Sequence, residues 1–288
     1  MQRGTRTEVA ATTRSQRATM IGMLTDEQRR AFHDEGFVAL PGAVDAEHVT
    51  RMRERIWRRI ENKGAQRDDA STWRPDQTFG LRTVRRGDPN PQDSLSFTEA
   101  LDGVMGPGAW RTPPNWGQVL VTFPSPDPWD VPHRPWHLDH RYDQPPDVIW
   151  GVNVFLFVDH VEPGGGGTVV VRGSPRHVRR FVAQIRPATR TQKQWREAFD
   201  RSHPWFTALS DRNDTEDRCE RFLSVTDIEG IPTQVVELTG EPGDVVVCHP
   251  WLIHNVAPNA DERPRMMRAS RAHHVDVLAL YGAELADT

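Results

Sequence analysis

The sequence predicts a mainly β protein with a double-sheet jelly-roll core, N-terminal helices and a helical and loop insertion. Two observations carry that prediction. From Gly117 onward, short runs of β-branched and aromatic residues are separated by glycine and proline turns. Helical patterns gather instead near the N-terminus and within residues 175–230. That segregation favours two packed sheets over alternating β-α units. No internal repeat or second domain is visible, so residues 23–288 are expected to form one domain.

Taken in order, residues 1–22 are rich in Arg, Thr, Ser and Ala, hold one acid (Glu8) and show no hydrophobic period. They are expected to be a disordered extension, ahead of an alternative start at Met20 or Met23. Thr25 and Gln28 form a capping box that opens a helix to about Glu35, with Gly36 as its stop. Phe37–Leu40 reads as a short buried strand. Asp45 caps a second helix through about Asn62, with Val49, Met52, Ile56 and Ile60 as its apolar stripe. Arg51, Arg53, Arg55, Arg58 and Arg59 are expected to form its solvated face. Residues 63–95 are polar and irregular, which suits a lid or an active-site rim. A short helix over Phe97–Met105 follows.

Strands are predicted at Gln118–Phe123, around His137, at Val148–Val158 and at Thr168–Val171, the last after the turn Gly164–Gly167. No Gly-Lys-Ser/Thr follows that turn, so it is not read as a phosphate loop. The insertion holds helices near His177–Arg186 and Gln192–Phe199 and an acidic, mobile loop at Asp211–Glu220. Strands resume at Thr233–Leu238, Asp244–His249 and Arg265–His273.

Composition narrows the function classes. A formal charge of −4 gives no reason to expect nucleic acid or an anionic membrane as partner. No apolar run of about 18 residues is present to span a bilayer. Two cysteines, Cys219 and Cys248, exclude a disulfide scaffold or a cysteine-rich metal site, and a cytoplasmic protein with reduced thiols is expected. Ten tryptophans and 23 prolines beside two tyrosines suggest ordered loops pinned by aromatic side chains. Such loops often line pockets for small molecules.

The chemistry centres on Trp136-His137-Leu138-Asp139-His140. In an extended strand His137 and Asp139 leave the same face, as two ligands of a 2-His-1-carboxylate triad would. His-X-acid pairs also occur at His33/Glu35, His160/Glu162 and His274/Asp276. His137/Asp139 differs because a turn-bounded strand, a further histidine (His254) and then Arg265 follow it at long range. Neutral imidazole and carboxylate suit Fe(II), and three ligands on one face leave room for a chelating cosubstrate and O₂. Structural zinc would close the site with a fourth ligand, often cysteine. His249 competes with His254 for the third position; its other reading is support behind the ligands. The Arg265 guanidinium would bind a carboxylate through two parallel hydrogen bonds, the alternative being a surface salt bridge.

From Leu24 onward the sequence resembles the phytanoyl-CoA dioxygenase (PhyH) family of Fe(II)/2-oxoglutarate oxygenases. The resemblance is carried by Leu24–Gln28 and Asp34–Gly42, Trp136–Asp139, Phe155–Asp159, the glycine turn to Gly173-Ser174, and Gly243-Asp244 through His254 and Asn259 to Arg265. It implies a double-stranded β-helix, cupin-like core. It makes His137, Asp139 and His254 the iron ligands and Arg265 the partner of the 2-oxoglutarate C5 carboxylate. Phe155 takes the place of an aromatic wall of the cosubstrate pocket. Strand parity adds Asn153, with Gln118 and Thr168 as further pocket residues. Two positions depart from the family pattern: Val256 stands where Ser is common, and Arg172-Gly173-Ser174-Pro175 replaces a Pro-Gly-Ser-His corner, with His177 displaced. Asp139 fills the position that halogenating relatives leave without a carboxylate. The expected activity is therefore hydroxylation of an unactivated C–H bond in a small organic molecule, a secondary metabolite or an acyl compound, with succinate and CO₂ as co-products. Substrate contacts are expected from residues 63–95, residues 125–135, His140-Arg141-Tyr142 and the surroundings of Trp205. The rivals are a jelly roll that binds a metal or small ligand without turnover, and a zinc hydrolase on the same ligands.

Overall fold

The computed structural model describes residues 24–81, 86–133, 135–144, 148–185 and 191–276. The extension expected at residues 1–22 lies outside the described residues. Seven helices and ten strands follow one another within the described chain: α1 (Asp26–Asp34), β1 (Phe37–Leu40), α2 (Ala46–Glu61), α3 (Leu95–Met105), β2 (Trp110–Arg111), β3 (Gln118–Thr122), β4 (Gly151–Phe157), β5 (Thr168–Arg172), α4 (Ser174–Gln184), α5 (Gln192–Asp200), α6 (Pro204–Ser210), α7 (Arg218–Leu223), β6 (Thr226–Ile228), β7 (Ile231–Glu237), β8 (Val245–Cys248), β9 (His254–Val256) and β10 (Arg265–His274). The larger sheet runs β1-β8-β4-β10-β2, with β3 also paired to β10; the smaller runs β6-β7-β5-β9. Every pairing between strands is antiparallel. This is the predicted jelly roll.

Three apolar clusters separate four layers. Along β4, Val152, Val154 and Leu156 point outward into a cluster with Phe32, Met52, Ile56 and Leu101 of α1–α3. Phe155 and Phe157 point inward and meet Val170 of the smaller sheet, Val246 of β8 and Met267 of β10. Val169 and Val171 of β5 leave the opposite face of the smaller sheet and pack on Phe199, Phe206 and Phe222 of the insertion. Both faces of β4 are thus covered, which is why it reads as an unbroken apolar run rather than an alternating one.

Local signals account for the helix ends. Thr25 Oγ1 accepts from the Gln28 N–H at 3.1 Å, and Gln28 Oε1 accepts from the Thr25 N–H at 2.9 Å. Gly36 follows with φ +101°, and a Cβ there would meet Leu252 Cδ1 at 2.7 Å, so both the turn and the packing require glycine. No helix among the described residues is long and apolar enough to cross a membrane.

Three expectations are corrected. The stretch around His137 is not a strand but an isolated bridge to His254. Pro132 and Pro135 just before it offer no N–H for a ladder, so pairing is confined to one residue. The arginines of α2 do not all lie in solvent: Arg53 reaches Asp159 at 3.3 Å and Arg55 reaches Asp88 at 2.7 Å, leaving Arg58 and Arg59 exposed. The acidic loop at Asp211–Glu220 is partly ordered as α7. Its cause is Arg218, buried there, which donates to the carbonyls of Val131, Pro132, Ala208 and Leu209 and pairs with Asp214 at 3.1 Å. One guanidinium satisfies carbonyls from the loop at Val131-Pro132 and from the last turn of α6, whose final carbonyls have no partner within the helix.

Residues 63–95 contain short 3₁₀ turns and end against the outer face of β10. Asp88 carries that contact: its side chain, 2% exposed, ion-pairs with Arg268, 1% exposed, and with Arg55. Removing the acid would leave two arginines facing each other in a desolvated site. Asp88→Ala is expected to lower the unfolding free energy by about 3–5 kcal/mol, read from the urea midpoint. A change below about 0.5 kcal/mol would mean that the pair is effectively solvated.

Candidate metal centre

Two backbone hydrogen bonds place the centre. The His137 N–H donates to the His254 carbonyl at 3.1 Å, and the His254 N–H donates back to the His137 carbonyl at 3.0 Å. The chain then bends at Asp139, which turns the carboxylate toward the two rings. The imidazole centroids stand 4.3 Å apart. His137 Nε2 lies 3.6 Å from Asp139 Oδ1, and His254 Nε2 lies 3.5 Å from Asp139 Oδ2. One donor atom from each of the three residues falls within 4.8 Å of the others.

The tautomers follow from the neighbours. His137 Nδ1 faces the Pro135 carbonyl at 3.2 Å, and His254 Nδ1 faces the Leu252 carbonyl at 3.0 Å. A carbonyl oxygen only accepts, so Nδ1 carries a hydrogen in both rings and Nε2 is the nitrogen left to ligate a metal. Burial, then the charge of His254, lowers the pKa of His137. Burial alone would raise the pKa of Asp139, but the hydrogen bond and charge of His254, with Arg271 and His137, hold it well below the usual carboxylate range. Two imidazoles that can each present Nε2 and one ionised carboxylate result, a donor set that fits Fe(II).

Arg265 opens β10 directly opposite Thr122 in register and is 3% exposed. Its Nη2 donates to Thr122 Oγ1 at 2.7 Å, while Nε and Nη1 are buried without a hydrogen-bond partner. Burial lowers its pKa to about 10, partly offset by the charge of Glu237. A buried guanidinium with two orphan donors is a site for a carboxylate, because leaving those donors unmet is unfavourable. The glycine turn serves Glu237 instead: the Gly164 and Gly167 N–H groups donate to its carboxylate at 2.6 and 2.8 Å.

The remaining predicted residues divide. The Phe155 ring stands edge-on to His254 at 5.9 Å. Thr168 is buried opposite Val256, with its Oγ1 unpartnered. Asn153 is buried beside Arg271 and Cys248 in register, and Gln118 is exposed opposite Ala269. Arg141 pairs with Asp143 through two contacts of 2.9 Å. Tyr142 and Trp205 are buried in the aromatic cluster of the insertion, where Tyr142 stacks on Trp195 at 6.4 Å and Trp205 meets Phe222 edge-on at 5.0 Å. Among the described residues the other His-X-acid pairs form no such centre. Glu35 pairs with Arg172, His160 sits between Glu162 and Glu241, and His274 faces Asp276. Two residues escaped the sequence reading, Thr122 and Arg271. Arg271 shares strand parity with Arg265 and comes within 3.1 Å of Asp139.

His249 does not join the centre. It leaves β8 on the other side, packs on Phe32 at 5.5 Å, and accepts the Trp251 N–H at Nδ1. It borders a cavity of about 570 Å³ with His33, Arg176, Arg179 and Trp251. Burial, then the charges of His33, His140 and Arg179, pushes its pKa down to about 3. The folded ring therefore stays neutral while the unfolded chain takes up a proton below about 6.5. The unfolded state binds more protons between these values, so this part of the stability is lost as pH falls from about 6.5 toward 3. His249→Gln is expected to remove a slope of about 1.4 kcal/mol per pH unit, read by urea unfolding at pH 7, 6 and 5, without weakening metal binding. Loss of metal binding in that variant would return His249 to the ligand set.

The phytanoyl-CoA dioxygenase (PhyH) family model matches residues 32–267. Comparison with curated proteins gives no match. Among solved structures, the epimerase SnoN in complex with Fe³⁺, α-ketoglutarate and nogalamycin RO is 14% identical, with TM-score 0.48 over 86% of this chain and 82% of its own. The non-haem α-ketoglutarate-dependent carbocyclase SnoK from nogalamycin biosynthesis is 17% identical, with TM-score 0.45 over 87% of this chain and 84% of its own. HygX from Streptomyces hygroscopicus, with nickel and 2-oxoglutarate bound, is 15% identical, with TM-score 0.46 over 88% of each chain. With the family model spanning residues 32–267, and so His137, Asp139, His254 and Arg265, the chain belongs to the phytanoyl-CoA dioxygenase family of Fe(II)- and 2-oxoglutarate-dependent oxygenases.

Proposed function

We propose that this protein hydroxylates an unactivated C–H bond of a small organic molecule, a secondary metabolite or an acyl compound. One atom of O₂ would enter the product and the other succinate, with CO₂ released from 2-oxoglutarate. We take residues 23–288 as one oxygenase domain working in the cytoplasm. The observation that carries the reading is the convergence of the His137, Asp139 and His254 donor atoms, in a fold that also buries an inward-facing Arg265 whose Nε and Nη1 are unpartnered.

In this reading His137 Nε2, Asp139 and His254 Nε2 hold Fe(II). Bound there, Fe(II) supplies the reduction of O₂ that is coupled to decarboxylation of 2-oxoglutarate and to oxidation of the substrate. The protein does the rest. The Pro135 and Leu252 carbonyls keep both imidazoles in the ligating tautomer. Arg265 receives the far carboxylate of 2-oxoglutarate on its two orphan donors, steadied by Thr122 at 2.7 Å. Phe155 forms an apolar wall beside His254 and excludes water from that side. Thr168 sits in register opposite Val256, so its unpartnered hydroxyl offers a donor where the residue at 256 has none. Asn153 and Gln118 are assigned to the pocket wall by strand parity.

Anaerobic titration of the apo-protein with Fe(II) and 2-oxoglutarate tests this, with the visible charge-transfer band of the chelate as readout. Wild type is expected to give the band, and His254→Ala to lose it. Arg265→Ala is expected to need on the order of 10- to 100-fold more 2-oxoglutarate, since a hydrogen bond to a charged group contributes about 1.5–3 kcal/mol. Folded wild-type protein that gives no band would overturn the reading and favour a jelly roll that binds a ligand without turnover.

A further inference from the structure

Asp139 differs from the two histidines in how it is held. It lies in a bend beyond a one-residue bridge, not in a strand, so the sheet does not fix its side chain. Its Oδ1 meets Arg271 Nη2 at 3.1 Å and His137 Nε2 at 3.6 Å, while Oδ2 faces His254 Nε2 at 3.5 Å. Apart from the two histidines, Arg271 is the one basic side chain paired with this carboxylate among the described residues.

Arg271 is itself firmly placed. It belongs to β10 and stands opposite Asn153 of β4 in register, while on the other side β10 pairs with β3 up to Ala269 and with β2 from His273. Asn153 in turn stands opposite Cys248 of β8, so Arg271, Asn153 and Cys248 form a row across the inner face of the larger sheet. The backbone that carries Arg271 is central in its sheet; the backbone that carries Asp139 is not.

We propose that Arg271 is a positioning residue for the metal site, holding Asp139 Oδ1 through a charge-assisted hydrogen bond so that the carboxylate stays turned toward the two imidazoles. The inference rests on the assignment of His137, Asp139 and His254 as metal ligands. Asp139 lies in a bend, so a carboxylate released from the guanidinium could rotate away from both Nε2 atoms and leave the site one donor short.

The sign of the effect separates positioning from simple charge. A cation beside a metal site repels the incoming ion, so an arginine acting by charge alone would weaken binding, and its removal would tighten it. An arginine that orients the ligand strengthens binding, and its removal typically weakens affinity by about 10- to 100-fold.

The test uses apo-protein and Co(II) as a spectroscopic stand-in for Fe(II), with affinity from calorimetry and ligand geometry from visible absorption. Arg271→Met is expected to bind Co(II) about 10- to 100-fold more weakly with an altered spectrum, and Arg271→Lys to recover part of the affinity. In an Asp139→Ala background, Arg271→Met is expected to cause no further loss, because the effect acts through Asp139. Unchanged or tighter Co(II) binding by Arg271→Met would overturn the proposal, as would an undiminished loss in the Asp139→Ala background. A loss confined to 2-oxoglutarate binding would also overturn it, by making Arg271 a cosubstrate contact. Far-UV circular dichroism checks folding; if Arg271→Met does not fold, Arg271→Lys carries the same comparison. Wild type that binds no Co(II) would overturn the metal-site reading and this inference with it, an outcome distinct from failure in the Arg271 variants alone.

Discussion

The arrangement of the centre depends on a single pair of backbone hydrogen bonds. His137 and His254 are 117 positions apart in the chain, yet each donates its N–H to the other's carbonyl. β9 is the edge of the smaller sheet, and this bridge is where the proline-rich approach touches it. Without the bridge, His137 and Asp139 would sit on a loop and His254 on an open edge. With it, the ring centroids are 4.3 Å apart and both Nε2 atoms turn to the same carboxylate. A bridge of one residue suffices because the flanking chain is pinned elsewhere: Trp136 Nε1 donates to the Pro132 carbonyl at 2.8 Å, and Trp251 Nε1 donates to the Arg141 carbonyl at 2.9 Å.

Around that bridge, charge is buried wherever chain without regular pairing has to be held. Asp88 fastens the irregular segment before α3 to Arg268 on the outer face of β10. Arg218 fastens the approach to His137 to the insertion through four carbonyls. Both satisfy polar groups that no strand partner reaches, and both leave the inner face free. Arg265 is the exception, since its Nε and Nη1 have no protein partner. A desolvated cation of that kind is unfavourable in the empty protein and favourable once an anion arrives.

What the sequence made legible follows the range of the interaction concerned. The capping box at Thr25 and Gln28, the strands of β4 and β5 and the turn at Gly164–Gly167 are local, and their residues announce them. His137, Asp139 and His254 were legible because a short-range pair and a long-range histidine keep their order along the chain. The strand around His137 was misread because local spacing looks alike in a ladder and in a one-residue bridge; the difference lies in the partner. Arg55 was assigned to solvent because helical periodicity reports where a side chain points, not that Asp88 arrives from 33 residues away. Trp205, expected near substrate, lies in the aromatic core of the insertion, where composition gives no means to tell wall from filling. Arg271 carried a usable signal, the same strand parity as Arg265, but no motif marks an arginine whose partner is a carboxylate 132 positions earlier in the chain.

That parity gives β10 a role beyond either arginine. Arg265 and Arg271 are six positions apart, about 20 Å of strand at the usual rise, and both leave the inner face. The first stands beside Thr122 with donors to spare; the second reaches the Asp139 carboxylate. One strand, paired with β3 over Arg265–Ala269 and with β4 over Met267–His273, thus carries both cations. Asp139 sits on a bend and His254 on an edge strand, where a small shift needs few broken hydrogen bonds. The two arginines on a central strand give that softer backbone a fixed frame.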